Sequence, residues 1–311
     1  MPKELTHWII AQRALDGLDA DSRIGDVIRG HHRLYLAGAV LPDTLLHLFR
    51  GPHAAAALAL AHRFHDTVDN SYGPLIAVEQ RHDGVLPPPL LACLLGVITH
   101  MLTDMTFHPF VYSQANADDM GGHYRVETAI DVHFLEHGFA PPIRLVAELV
   151  DSTTSPCLVD ALAQLFDPTG SLPRPALEHA LRLHCRFQAL YNRTIWKLAV
   201  RLLARLLGPP FRDQQHLFYP LASGKKTDLV GEIAEWRHPC SGVLMRKSLE
   251  QLADDATTNI VKTFKSIEKE GNLSATLESD PGANLLTGMH GACHNLCGIT
   301  ARQPNRDEEK V

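Results

Sequence analysis

Apolar residues return every three or four positions along most of this chain. Over residues 5–18, Leu5, Trp8, Ala11, Leu15 and Leu18 share one stripe, the spacing of an amphipathic helix. The same period runs through 54–66, 88–108, 124–136, 142–151, 157–165, 175–207, 226–236 and 243–268, and these lengths favour helices over strands. Sustained alternation of β-branched residues is missing, so the pattern predicts an all-α, multi-helix bundle without a sheet. Breaks fall at Gly51-Pro52, Pro87-Pro88-Pro89, Gly121-Gly122, Pro141-Pro142 and Gly208-Pro209-Pro210. Residues 1–268 read as one helical domain, with unusual polar residues in 1–140 and ordinary packing helices in 141–268. Residues 269–311 turn polar and are expected to form a loose tail.

Composition narrows the possible roles. With 311 residues the chain can bury a substantial core, and a net charge of −6 argues against nucleic acid held on a basic surface. The opening residues carry no signal-peptide core, and no apolar run reaches membrane-spanning length. Six scattered cysteines do not resemble a disulfide-stapled secreted domain. These features predict a cytoplasmic protein with reduced thiols. Of 19 histidines, 13 precede residue 140, and histidine is the commonest metal ligand.

The spacing of those histidines carries more weight than their number. His100, Asp104 and His108 lie at i, i+4 and i+8 behind the apolar run LLACLLGVIT, on one face of a buried helix. Three buried ionisable groups on one stripe require pairing or a metal, and a hydrogen-bonded His–Asp–His core network is the alternative. His123 and Glu127 repeat the i, i+4 spacing in GGHYRVETAID, with Asp131 one turn later as a residue that could orient a ligand. Asp43 follows Pro42 and reads equally as a helix cap or a ligand. AHRFHD offers His62 or His65 beside Asp66, and His7 opens the first helix.

In order, Thr6-His7, Gly38-x-x-x-Pro42-Asp43, His65-Asp66, Gly96-x-x-x-His100-x-x-x-Asp104-x-x-x-His108-Pro109 and His123-x-x-x-Glu127 resemble the bacterial zinc-dependent phospholipase C family. That family shares its fold with the single-strand-specific nucleases. A fainter echo, EWRHPCSGVLMRKSLEQLADDA at 235–256, is similar to the HP-x-x-G and helix found late in its members. The resemblance implies a phospholipase C/nuclease-like bundle and two or three zinc ions. One ion would take Asp43, His65, His100 and Asp104; a second His108, His123 and Glu127; a third His7, with Asp104 bridging. It also implies a phosphoric ester hydrolase in which activated water attacks phosphorus and Asp43 acts as general base, with phospholipids among the candidate substrates. Two rivals stand beside this reading: a His-Asp-type metal phosphohydrolase built on His65-Asp66, and a non-catalytic metal-binding or interaction module derived from such an enzyme. HGACHNLC (His290, Cys293, His294, Cys297) reads as incidental, and the stripe 179–208 as a core helix with a solvated arginine face.

Overall fold

The structure, a computed structural model, describes residues 3–115, 118–221, 234–291 and Cys293. In chain order come α1 (Glu4–Asp16), α2 (Arg23–Gly30), α3 (His32–Gly38), a 3-10 segment (Leu41–His47), α4 (Ala54–His65), α5 (Gly73–Arg81) and α6 (Pro88–Gln114). They are followed by α7 (Met120–Glu136), α8 (Ser155–Phe166), α9 (Arg174–Tyr191), α10 (Thr194–Leu207), α11 (Pro209–Gln214), α12 (Leu249–Glu270) and α13 (Leu273–Ser279). The all-α expectation holds apart from one antiparallel hairpin, β1 (Ala234–Arg237) paired with β2 (Leu244–Lys247).

The core is built around α6. Proline at its first positions costs no hydrogen bond there, because the first turn's N–H groups have no helical partner. By length and composition this helix could cross a membrane, but most of it is buried against α1, α3 and α12, which makes it a core helix. Its contact with α3 is unusually close. A Cβ on Gly96 would lie 2.1 Å from the Tyr35 carbonyl oxygen, and one on Gly38 would lie 2.1 Å from that of Cys93. The two glycines that punctuate the sequence motifs are therefore what lets the backbones of α3 and α6 touch.

α6 continues through Pro109 to Gln114. Proline has no N–H to offer the carbonyl four residues back, here that of Met105. Against this turn sits Gly288, at φ +61°, where a Cβ would fall 2.3 Å from the Met105 oxygen. Residues 269–291, expected to be loose, instead continue into α13 and a loop that buries Leu285 completely. Their polarity is spent on internal bonds: the Asn284 amide donates to Asp66 Oδ1 and the Thr67 carbonyl, while its own oxygen accepts from the backbone N–H groups of Leu286 and Thr287. Residues 292 and 294–311 lie outside the described residues.

Other departures have local causes. The stretch 142–151 holds only a 3-10 turn, Val146–Glu148, behind Pro141-Pro142. The long stripe 175–207 breaks at Asn192-Arg193 into α9 and α10. Of 226–236, residues 226–233 are not described and the remainder belongs to β1. The helix expected from 243 starts after β2, where Ser248 and Gln251 form a reciprocal capping box. The HP-x-x-G motif is the hairpin turn: His238 Nδ1 accepts from the N–H groups of Cys240 and Ser241, and its Nε2 donates to the Thr287 carbonyl. Cys240 and Cys293 are joined in a disulfide, correcting the expectation of reduced thiols for this pair, whereas Cys93, Cys157 and Cys185 are free. Cys293 is thus committed to Cys240, while His294 and Cys297 of HGACHNLC lie outside the described residues.

Candidate metal centre

Five elements bring the predicted residues together. α1 supplies His7, the 3-10 segment supplies Asp43, α4 ends on His65, α6 contributes His100, Asp104 and His108, and α7 contributes His123 and Glu127. The choice between His62 and His65 resolves to His65, which is buried at the end of α4 while His62 faces solvent.

The side chains converge around two aspartates. Asp104 Oδ2 lies 3.2 Å from His100 Nε2 and 3.9 Å from His108 Nδ1, and its Oδ1 lies 3.4 Å from His7 Nε2. Asp43 Oδ1 lies 3.5 Å from His65 Nε2 and 3.9 Å from His100 Nε2. His7 stacks on His100 with ring centroids 4.3 Å apart. His123 Nε2 meets Glu127 Oε1 at 2.7 Å. Donor atoms fall into three groups, each within 4.8 Å: His7, Asp43 and His100; His65, His100 and Asp104; His108, His123 and Glu127. The third group is the ligand set implied for a second ion. The first places His7 with Asp43 and His100 as well as near Asp104.

The outer nitrogens decide how the rings can act. His65 Nδ1 donates to the Ala61 carbonyl at 2.8 Å, His100 Nδ1 to that of Ala39 at 3.0 Å, and His108 Nδ1 to that of Leu285 at 2.7 Å. A carbonyl only accepts, so each Nδ1 carries the proton and each Nε2 presents a lone pair inward. Those Nε2 atoms, together with His7 Nε2, Asp43 Oδ1 and both oxygens of Asp104, are buried without a hydrogen-bond partner. Such a concentration of unsatisfied donors and acceptors would cost several kcal/mol in a purely structural core. The pattern of Nδ1 held by a carbonyl and Nε2 left free is how proteins orient metal-binding imidazoles. The residues present fit zinc in donor type and number, which weighs against the His–Asp–His core network.

Electrostatics point the same way. Burial drives His7 and His108 down to about 3 and His123 well below its ordinary value, leaving neutral imidazoles. Burial also opposes the charge on His100, but Asp104 and Asp43 beside it outweigh that and raise it. For Asp43, burial resists ionisation while His100 and His65 hold it down at about 2; Asp104 is likewise held ionised, chiefly by His100.

Asp131 faces the start of α1 and Tyr219. It accepts from Thr6, at both the backbone N–H and the hydroxyl, and from the Tyr219 hydroxyl. Its work is to pin the start of α1 and so the neighbouring His7. Sequence reading missed the Leu285 carbonyl, because a backbone acceptor has no signature in composition. It also missed Tyr112, one turn beyond His108, whose ring lies 4.9 Å from that of His123 and 5.8 Å from that of His108.

A helical bundle in which five elements bring buried His, Asp and Glu donors within 4.8 Å of one another in three groups defines a class of metal-dependent protein. Within that class the assignment is direct: the sequence model of zinc dependent phospholipase C matches residues 6–167, more than half of the chain, and the protein belongs to that family. The match spans α1 to α8 and includes all eight predicted ligands. No curated protein and no solved structure matches the chain.

Proposed function

We propose that this protein is a phosphoric ester hydrolase that cleaves phospholipids in the manner of a phospholipase C. The observation that carries the reading is the set of imidazoles with Nδ1 tied to backbone carbonyls and Nε2 buried without a hydrogen-bond partner. Asp43, His65, His100 and Asp104 would hold one zinc ion, and His108, His123 and Glu127 a second, with His7 available to a third beside Asp104 and Asp43. Bound zinc lowers the pKa of a coordinated water toward neutrality and neutralises phosphate oxygens. Asp43 is the base in this reading. Its side chain is 14% exposed against none for Asp104, so it stands at the edge of the cluster where water and substrate arrive. His100 must be neutral to act as a ligand, and its charge is the leading influence holding Asp43 low. The partly buried Tyr112 hydroxyl, whose ionisation burial opposes, remains a donor suited to a phosphate oxygen.

A second observation favours a lipid substrate over a soluble ester. α10 buries Lys197, Val200 and Ala204 and turns its apolar face outward. Ile195 and Leu206 are 71% exposed, and Leu198, Leu202 and Trp196 share that surface. Helical spacing puts 195, 198, 202 and 206 on one stripe, opposite the buried one. Lys197 fastens the helix through Asn192 Oδ1 and the Pro220 carbonyl. Exposed Arg201 and Arg205 border the stripe, and α10 has no acidic residue. An outward apolar stripe edged by arginine and tryptophan suits the surface of an anionic bilayer.

The test is zinc content per chain in protein purified without a histidine-rich tag, followed by hydrolysis of phospholipid vesicles against a soluble phosphodiester. Two or three zinc equivalents and release of diacylglycerol support the reading. Absence of tightly held metal, even after zinc titration, would overturn it.

A further inference from the structure

A second histidine–carboxylate cluster lies beside the centre, and the motif residues do not include it. Glu4, His47 and His184 bring one donor atom each within 4.8 Å of one another. Glu4 is one turn before His7 on α1, and His47 one turn after Asp43 on the 3-10 segment; His184 comes from α9. Glu4 and His184 fall outside the stretch that matches the family, residues 6–167.

Its wiring repeats that of the main centre. His47 Nδ1 donates to the Asp43 carbonyl at 3.1 Å, which fixes the proton there and leaves Nε2 with a lone pair. His184 Nδ1 engages the Thr44 hydroxyl at 3.1 Å. The two rings stack with centroids 4.3 Å apart. His184 Nε2 stands 3.7 Å from Glu4 Oε1, beyond hydrogen-bond length, and His184 Nε2 and Glu4 Oε2 are buried without a partner. Side-chain exposure is 1% for His184 and 9% for Glu4.

Lys3 acts on Glu4 through its charge, but its ammonium is bonded elsewhere. The ammonium of Lys3 bonds the Leu217 carbonyl and lies over the rings of Tyr191 and Tyr219. The remaining His/Glu group, His133 with His137 and Glu250, behaves differently: there His133 Nε2 is already bonded to Glu250 Oε1.

We propose that Glu4, His47 and His184 form an additional divalent-cation site, of the two-imidazole, one-carboxylate kind that suits zinc and leaves a fourth position open. Bonds of about 2 Å to a common tetrahedral ion separate ligand atoms by roughly 3.3 Å, so small side-chain rotations close the observed cluster onto an ion. The site shares α1 and the 3-10 segment with the main centre. An ion here fixes the two elements that carry His7 and Asp43.

The test uses the full chain, loaded with zinc, desalted and analysed for metal per chain. Glu4→Gln and His184→Ala are each expected to hold one equivalent fewer than the parent, whereas His100→Ala loses metal from the main centre and keeps this one. Titration with cobalt(II) should show one visible absorption component missing in the same two variants. Should His184→Ala fail to fold, Glu4→Gln decides, because it preserves size and shape. An unchanged zinc count in folded Glu4→Gln overturns the proposal, as does loss of all zinc, which would make Glu4 part of the main centre.

Discussion

Replacing Gly96 with alanine places a methyl group in the close backbone crossing of α3 and α6. The new Cβ would stand 2.1 Å from the Tyr35 carbonyl oxygen, 2.9 Å from the Ala39 nitrogen and 2.9 Å from the Gly38 Cα. All three neighbours are backbone, so no side chain can swing aside. Ordinary contact begins near 3.4 Å, which requires α3 and α6 to part by about 1 Å, enough to forfeit a quarter to a half of the dispersion energy across the crossing. The His100 Nδ1 bond to the Ala39 carbonyl, now 3.0 Å, spans this crossing, and Asp43 follows Ala39 by one turn. Overpacking of this kind costs about 1–3 kcal/mol, with alanine's better helix propensity returning about 1 kcal/mol. The net expectation is a loss of up to about 2 kcal/mol in stability, with a larger loss in zinc affinity because the His100–Asp43 spacing widens. Gly30→Ala, where nothing lies within 4 Å of the added Cβ, is the control. Thermal unfolding with and without a chelator, and competition against a zinc indicator, read both effects. A Gly96→Ala protein with parental zinc affinity and unfolding temperature would refute the argument that glycine at this crossing positions the centre.

Three other perturbations address separate links. Asn284→Ala removes the amide that ties the Leu285 loop to Asp66 and Thr67; the carbonyl holding His108 then drifts, and chelator competition should show zinc held about 10–100-fold more weakly in a folded protein. Leu198→Ser with Leu202→Ser removes two outward leucines from α10; at about 1–2 kcal/mol for each side chain, association with anionic vesicles should fall at least tenfold at unchanged unfolding temperature, and undiminished co-sedimentation would exclude this face as the lipid contact. Burial raises Asp131 to about 6 from its ordinary 3.8. The folded protein therefore binds this proton more tightly than the unfolded chain, and the associated stability is present below pH 4 and lost as pH rises to about 6. Stability of the parent relative to Asp131→Asn should decline across that window by up to about 3 kcal/mol and then level off; a flat difference between pH 4 and 6 would show that Asp131 is not raised.

What could be read from the sequence follows from where the information is local. His100, Asp104 and His108 announce themselves because polar residues at i, i+4 and i+8 interrupt an apolar run, and α6 carries all three to the centre. His123 and Glu127 do the same on α7. Asp43 and His65 were ambiguous locally, since a residue after proline or at a helix end has ready structural explanations; it is the convergence of the 3-10 segment, α4 and α6 that separates His65 from the exposed His62. The Leu285 carbonyl leaves no trace in composition, because every residue has a carbonyl. It was hidden further by polar residues such as Asn284, which suggest a loose tail when their partners, Asp66 and Thr67, are two hundred residues away.

The periodicity of α10 shows why an amphipathic pattern does not fix orientation. A stripe of Ile195, Leu198, Leu202 and Leu206 is read as a core face because burial of apolar area is the usual driving force. The pattern states only that the two faces differ. Here Lys197 points inward, its ammonium satisfied by Asn192 and Pro220, and small residues Val200 and Ala204 fill the remaining contact. Polar bonds on the inner side release the leucines to the outer one. An exposed stripe of that size is costly in water unless another phase covers it. Under the phospholipase reading proposed above, the bilayer is that phase. The same inversion explains why the arginines seemed unremarkable: beside a core face they are solvated charges, whereas beside an outward face, in the proposed reading, they are placed to meet lipid phosphate.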